Sequence, residues 1–206
     1  MSAARRAACA LCLLGALSGA AGAEQPAPKV TIIGDSVADR MQRNPEALAA
    51  LWNGFRINLQ TRGCRTLVIT GCTIGGQTGP PPSALQVIQR FGRYLGRFVV
   101  VEVGYNDDAK RYRSDLDIVM RALTHYRVRT VVWLTLRDPD GGHALENRVI
   151  EAAPRRWSQI VVADWNAYSA NHDDWFKEDG IHPTPLGAAS LGVFIHAVLA
   201  RSTGSR

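Results

Sequence analysis

The sequence predicts one three-layer α/β domain, a parallel β-sheet with helices on both faces. Two observations carry that reading. The short apolar runs "KVTII", "RFVVVEVG", "TVVWLTL" and "QIVVADW" have the length and β-branched content of buried strands. Between them lie longer segments with helical spacing and helix start and stop residues. Strands separated by helices of that length pair in parallel with both faces covered. A chain of 206 residues suits one domain of this kind, without repeats or a second domain.

Residues 1–23 stand apart from that domain. Arg5 and Arg6 precede an apolar, small-residue run from Ala7 to Ala20, and "AGA" ends at Ala23. This is the pattern of a secretory signal cleaved before Glu24; the run is too short and too rich in alanine and glycine to span a bilayer comfortably. "EQPAP", residues 24–28, reads as a short linker, residues 29–201 as the domain and 202–206 as a tail. No other segment reads as apolar enough to cross a membrane.

The elements follow in order. "KVTII" is the first buried strand, ended by Gly34. "NPEALAALWNG" is a helix with Asn44 as cap, Pro45 in the first turn and Gly54 as stop. "FRINLQTR" alternates Phe55, Ile57 and Leu59 with polar residues, as a half-buried edge strand does. "RTLVIT" competes for that place. Cys64 and Cys72 are the two cysteines left after the leader, and an even pair in an oxidising compartment reads as a disulfide. An extended strand would hold these residues roughly 25 Å apart, whereas a disulfide needs Cα atoms within about 7 Å. The strand at 55–61 is compatible with the disulfide, and a continuous strand at 65–71 is not. "GGQTGPPPS" is a loop, and Ser83 caps the next helix, "SALQVIQRFGRYL". "SDLDIVMRALTHYRV" is an amphipathic helix with Ser114 as cap, "ALENRVIEAA" another, and "LGAASLGVFIHAVLAR" closes the domain.

The formal net charge of +6 falls to +4 once the leader takes away Arg5 and Arg6. The remaining basic residues, Arg62, Arg65, Arg90 and Arg93 among them, are scattered along the chain. No aromatic-interleaved stripe or nucleic-acid motif accompanies them, so nucleic acid is not an expected partner. The charge supports at most a mild attraction to anionic cell-wall polymers.

Ligands of open α/β sheets bind beyond the carboxyl ends of the strands. Three polar motifs fall there: "GDSV" with Ser36, "GYNDD" with Asn106 and Asp107, and "DGIHP" with Asp179 and His182. A serine nucleophile needs a histidine to take its proton and a carboxylate to orient that histidine. Asp179 and His182, three apart in one turn, present that pair together. The negative charge that develops on a substrate oxygen needs preorganised donors; the Ser36 N–H and the Asn106 amide suit that role. Ser36 alone could equally be a helix cap, and it is the company of Asn106 and His182 that marks it as a nucleophile. Asp35 reads as a turn residue bonded to backbone, and Trp133 as core. His125, His143, His172 and His196 carry no assigned chemistry. Trp175 is the candidate for a sugar-lined groove, with Asp107, Arg137 and Asp138 as candidate substrate contacts.

These blocks, "GDSV", "GYND" and "DGIH" in order from Gly34 to His182, resemble the SGNH (GDSL-type) hydrolases. The resemblance implies a flavodoxin-like sheet, serine catalysis at acyl esters, and neither a metal nor an organic cofactor. Val37 stands where the GDSL name has leucine. The family's second-block glycine, an oxyanion donor, matches Gly63 after the strand at 55–61, with Gly76 as the alternative. "DWNAYSANHDDWFKEDGIHPTPLG" is similar to the last block of cell-envelope O-acetyltransferases and esterases. The expectation is a secreted or periplasmic serine esterase that hydrolyses or transfers a short acyl group, acetyl being what that resemblance implies, on carbohydrate. A lipid esterase, lysophospholipase or thioesterase is the rival enzyme, and a non-catalytic glycan-binding module the rival of another class.

Overall fold

Each apolar run becomes a strand. β1 spans Lys29–Gly34, β2 Arg56–Thr61, β3 Phe98–Glu102, β4 Thr130–Leu134 and β5 Ile160–Ala163. All four pairings are parallel, in the order β2-β1-β3-β4-β5. The computed structural model describes residues 26–76 and 78–204. The leader expected over residues 1–23 lies outside the described residues.

Successive residues of a strand face opposite ways, and this divides the core in two. Ile33, Val99, Val101, Val131 and Trp133 pack under α3 (Ala84–Phe91), α4 (Ala109–His125) and α5 (Ala144–Ala152). Val30, Ile32, Val100, Val132 and Leu134 pack under α1 (Ser36–Asp39), α2 (Pro45–Trp52), α6 (Trp165–Ser169) and α7 (Pro185–Gly204). Gly192 lets α7 lie tight against α2, because a Cβ there would sit 2.7 Å from the Ala47 Cα. α7 is long and apolar enough to cross a membrane by length and composition, contrary to the sequence reading. Its Leu191, Ile195, Val198 and Leu199 are buried in this core instead.

The expected caps of α2 and α3 are present. Asn44 accepts from the Ala47 N–H at 2.8 Å, and Ser83 forms a capping box with Gln86. α4 differs from expectation. It starts at Ala109, capped by Asp108, which accepts from the Lys110 N–H, and Ser114 sits inside it. The polar stretch "AKRYRS" is helical because Tyr112 buries its ring and donates its hydroxyl to the Val103 carbonyl at 2.7 Å. At the other end α7 runs through Gly204, into the segment read as a tail.

β2 occupies 56–61, and no strand occurs among the described residues of 62–83. The Cys64–Cys72 disulfide closes that segment, with Cα atoms 5.2 Å apart. Because Gly34 pairs with both Thr61 and Glu102, the chain leaves β1, β2 and β3 at one level. The residues that follow these strands therefore share one edge.

Candidate active site

The chain turns sharply after Gly34, and Asp35 rather than Ser36 is the cap of α1. The Asp35 carboxylate accepts from the Val37 N–H at 3.1 Å and from the Gly104 N–H at 3.3 Å. That leaves the Ser36 hydroxyl for another partner. His182 Nε2 lies 2.9 Å from Ser36 Oγ, and His182 Nδ1 lies 2.8 Å from Asp179 Oδ2. The two residues come from opposite ends of the sequence, and the sheet edge brings them together.

The Asp179–His182 turn is built locally. Asp179 Oδ1 accepts from the N–H groups of Ile181 and His182, at 2.9 and 2.8 Å. Gly180 holds φ +68 in the middle of the turn, a conformation that favours glycine. Partial burial pushes the Asp179 carboxyl up, but the His182 N–H, the Ile181 N–H and the imidazole outweigh it and hold its pKa below the usual value. The carboxylate is thus kept ionised where it can fix the imidazole with its proton on Nδ1 and its lone pair toward Ser36.

The candidate oxyanion donors follow the ends of β1, β2 and β3 at the same sheet edge. The Ser36 N–H opens α1, where the first N–H groups have no intrahelical acceptor. Gly63 packs against the serine, since a Cβ on it would lie 3.7 Å from Ser36 Cβ. Gly76, the alternative, has φ +82 and open space around it, with no contact to the serine. Asn106 is exposed, and its Nδ2 donates to the Arg65 carbonyl at 3.2 Å. A primary amide has a second N–H to give. Arg65 in turn fixes the disulfide loop, donating to the carbonyls of Pro82 and Gln60.

Asp107 and Trp175 are placed differently from their expected role at the substrate. Asp107 is turned inward, where Oδ1 accepts from the Leu67 N–H at 2.9 Å and Oδ2 is buried without a hydrogen-bond partner among the described residues. Burial raises its pKa to about 7. It pins the disulfide loop to the end of β3. Trp175 is half-buried, with its ring centroid 3.7 Å from that of His172 and 5.9 Å from that of Trp165. Its faces are engaged by protein rings.

Arg137, expected to touch substrate, is buried and structural. Nε donates to the Gly180 carbonyl at 2.9 Å, Nη1 to the Ser169 carbonyl, and Nη2 to Asp173 at 2.7 Å. The guanidinium also lies 4.0 Å over the Phe176 ring. It therefore anchors the turn that carries Asp179 and His182. Asp138 likewise serves the fold, accepting from the His143 N–H at 2.9 Å.

One group beneath the site was missed from sequence. Glu102 is fully buried at the end of β3, next to Asp35, and its Oε2 accepts from the Ala38 N–H at 3.1 Å. Burial raises Asp35 to about 6, and burial followed by the neighbouring Asp35 carboxyl raises Glu102 well above its usual value. The acid inside the otherwise apolar run "RFVVVEVG" was the available signal.

No group of three or more His, Cys, Asp or Glu side chains suited to a metal occurs among the described residues. A serine, an imidazole and a fixed carboxylate meet at the carboxyl edge of a 2-1-3-4-5 sheet, and the chain has the SGNH (GDSL-type) esterase fold. The solved structures it is similar to include the psychrotrophic esterase EstA from Pseudoalteromonas sp., at 12% identity and a TM-score of 0.63, over 86% of this chain and 100% of that one. A carbohydrate esterase family 3 protein from Talaromyces cellulolyticus matches at 16% identity and a TM-score of 0.55, over 87% and 99% of the two chains. In sequence, 93 residues are 30% identical to the Staphylococcus aureus (strain MSSA476) protein named "Putative O-acetyltransferase SAS0844", covering 45% of this chain and 15% of that protein. No protein-family model matches the chain.

Proposed function

We propose that the protein is an exported serine esterase that removes a short acyl group, acetyl foremost, from carbohydrate. The hydrogen-bonded chain Ser36–His182–Asp179, with contacts of 2.9 and 2.8 Å, carries this reading. In the first step Ser36 Oγ attacks the ester carbonyl carbon while His182 Nε2 takes its proton. The carbonyl oxygen becomes an oxyanion, faced by the Ser36 and Gly63 N–H groups and the Asn106 amide. The C–O bond to the sugar then breaks, and the sugar oxygen takes the proton back from His182. Water repeats the sequence on the acyl-serine, His182 acting again as base and then as acid, and the carboxylic acid leaves. Asp179 stays ionised throughout and stabilises the imidazolium.

Carbohydrate is favoured over lipid by the likeness to a carbohydrate esterase, and the charged residues Asp39, Arg40, Arg43, Arg62 and Lys177 border two cavities on the chain segments next to the serine and the histidine. Transfer to a second sugar hydroxyl is the alternative fate of the acyl-serine, and it is favoured by the similarity to the staphylococcal protein. The chain spans only 15% of that relative, so the relative's whole activity is not carried over. Export rests on the leader pattern of residues 1–23 together with the disulfide. The test is labelling with a fluorophosphonate serine probe, followed by acetate release from O-acetylated polysaccharide with and without an acceptor sugar. Labelling that persists in Ser36→Ala would overturn the serine mechanism. Rates that rise steadily with p-nitrophenyl ester chain length would overturn the acetyl-carbohydrate assignment.

A further inference from the structure

Four basic residues that look scattered in the sequence border two neighbouring cavities, on the chain segments that carry Ser36, Gly63 and His182. Arg40 follows Ser36 by four residues, and Arg43 by seven, on the helical turns that leave the site. Arg62 donates its N–H to the Gly34 carbonyl at 3.1 Å and directly precedes Gly63. Lys177 donates its N–H to the His182 carbonyl at 2.9 Å. These residues line two adjoining cavities. One, of about 210 Å³, is bordered by Arg40, Arg43, Lys177 and Pro183. The other, of about 430 Å³, is bordered by Arg43, Thr61 and Arg62. Asp39 and Arg43 border both, so the two form one strip.

All four cations are exposed, and none of their side chains has an ion-pair partner among the described residues. The one acid that lines both cavities is Asp39, whose carboxylate accepts from Gln42 Nε2 at 2.8 Å and Thr61 Oγ1 at 3.2 Å and, keeping its charge, offsets part of theirs. Asp179, bonded to His182, and Glu178 add negative charge at the Lys177 end of the strip. Elsewhere on the surface, exposed arginines do find carboxylates: Arg111 with Asp115 and Arg156 with Asp117. Four cations against one acid in the lining of the two cavities leave an excess of positive charge that attracts an anion.

We infer that this strip is a subsite for a carboxylate or phosphate carried by the substrate near the acyl ester, so that the substrate is an acylated anionic polysaccharide. The inference rests on the proposed esterase reading and deepens it. Guanidinium groups suit either anion through paired N–H donors. The strip is open to solvent, and its attraction is therefore screened by salt.

The experiment compares kcat/KM for chemically acetylated polygalacturonate, acetylated poly(glycerol phosphate) and neutral acetylated xylan, at 20 mM and 500 mM NaCl. Fluorophosphonate labelling of Ser36 is run in parallel. The expected result is a preference for one anionic polymer over xylan that falls about tenfold in high salt, while the xylan rate changes little. The polymer preferred decides between carboxylate and phosphate. In Arg40→Glu/Arg43→Glu the anionic-to-neutral ratio of kcat/KM falls about tenfold through KM. Should that variant lose labelling, Arg62→Glu and Lys177→Glu, tested singly, take its place. Absence of labelling in the wild type overturns the esterase reading itself. Labelled wild type with equal rates and equal salt response on all three polymers, or a ratio unmoved by every charge reversal, overturns the subsite.

Discussion

Arg137→Met tests whether a buried cation, rather than the catalytic turn's own hydrogen bonds, holds Asp179 and His182 in place. Methionine keeps much of the apolar stem and the contact with Phe176 but removes every donor. The carbonyls of Gly180 and Ser169 then lose their partners, and an unsatisfied buried carbonyl costs about 1–3 kcal/mol. Asp173 adds little, because its side chain is 94% exposed and returns to water. Relief from burying the guanidinium offsets part of the loss. A net destabilisation of about 3 kcal/mol follows, which for a domain of this size lowers Tm by about 6–12 °C.

Catalysis reports more specifically than stability. Gly180 lies between Asp179 and His182, so release of its carbonyl lets the turn shift, and a misplacement near 1 Å costs about a hundredfold in rate. The assay is kcat and KM on p-nitrophenyl acetate at a temperature well below the variant's Tm. If Arg137 positions the turn, kcat falls with KM little changed, because Asp179 no longer meets the imidazole at 2.8 Å. Arg137→Lys, which restores one donor and the charge, recovers part of the loss. A variant with Tm within about 2 °C of wild type and an unchanged kcat would refute the anchoring role.

Four further outcomes are expected. Asp179→Asn lowers kcat by about a thousandfold or more with the fold intact by circular dichroism, since the amide cannot stabilise the imidazolium; a loss under tenfold would remove Asp179 from the mechanism. Cys64→Ser/Cys72→Ser opens a loop of sequence separation 8 and costs about 2–3 kcal/mol, read as a Tm lower by about 5–10 °C; an unchanged Tm would count against the pairing. Gly63→Ala places a Cβ 2.4 Å from Ile74 Cδ1 and 3.7 Å from Ser36 Cβ, so kcat drops while Gly76→Ala, in open space, leaves it near wild type; the reverse order would move the oxyanion donor to Gly76. Asp35 and Glu102 both have raised pKa values in the fold, so the native state holds more protons than the unfolded chain from the ordinary carboxylate range up through about 6 and above. Stability therefore falls as pH rises across that window. Glu102→Gln removes one of the two linkages, and its Tm should decline less than that of wild type between pH 5 and 8; parallel declines would show that the pair does not share this burden.

What could be read from sequence follows how local each determinant is. The strands were legible because "KVTII" and "TVVWLTL" are buried on both faces and need no knowledge of their neighbours. The site was legible because Asp179 and His182 form their turn within four residues and Ser36 follows its strand directly. Serine and aspartate are both good caps, so the local sequence does not choose between Ser114 and Asp108 for α4. The choice fell to Asp108 through Tyr112, whose hydroxyl accepts from Trp133 Nε1 at 3.2 Å across 21 positions. Arg137 has the same difficulty, with its partners 32 to 43 residues away. An arginine after a strand looks like a surface residue until those carbonyls converge on it. The same argument explains the basic strip. Arg40 and Arg43 read as ordinary helix-face charges, Arg62 as the end of an edge strand and Lys177 as a loop residue. Their common field exists only because β1, β2 and the His182 turn end at one level. Chemistry that needs one turn of chain is written in adjacent letters, whereas the electrostatics that would select a substrate is a property of the sheet edge.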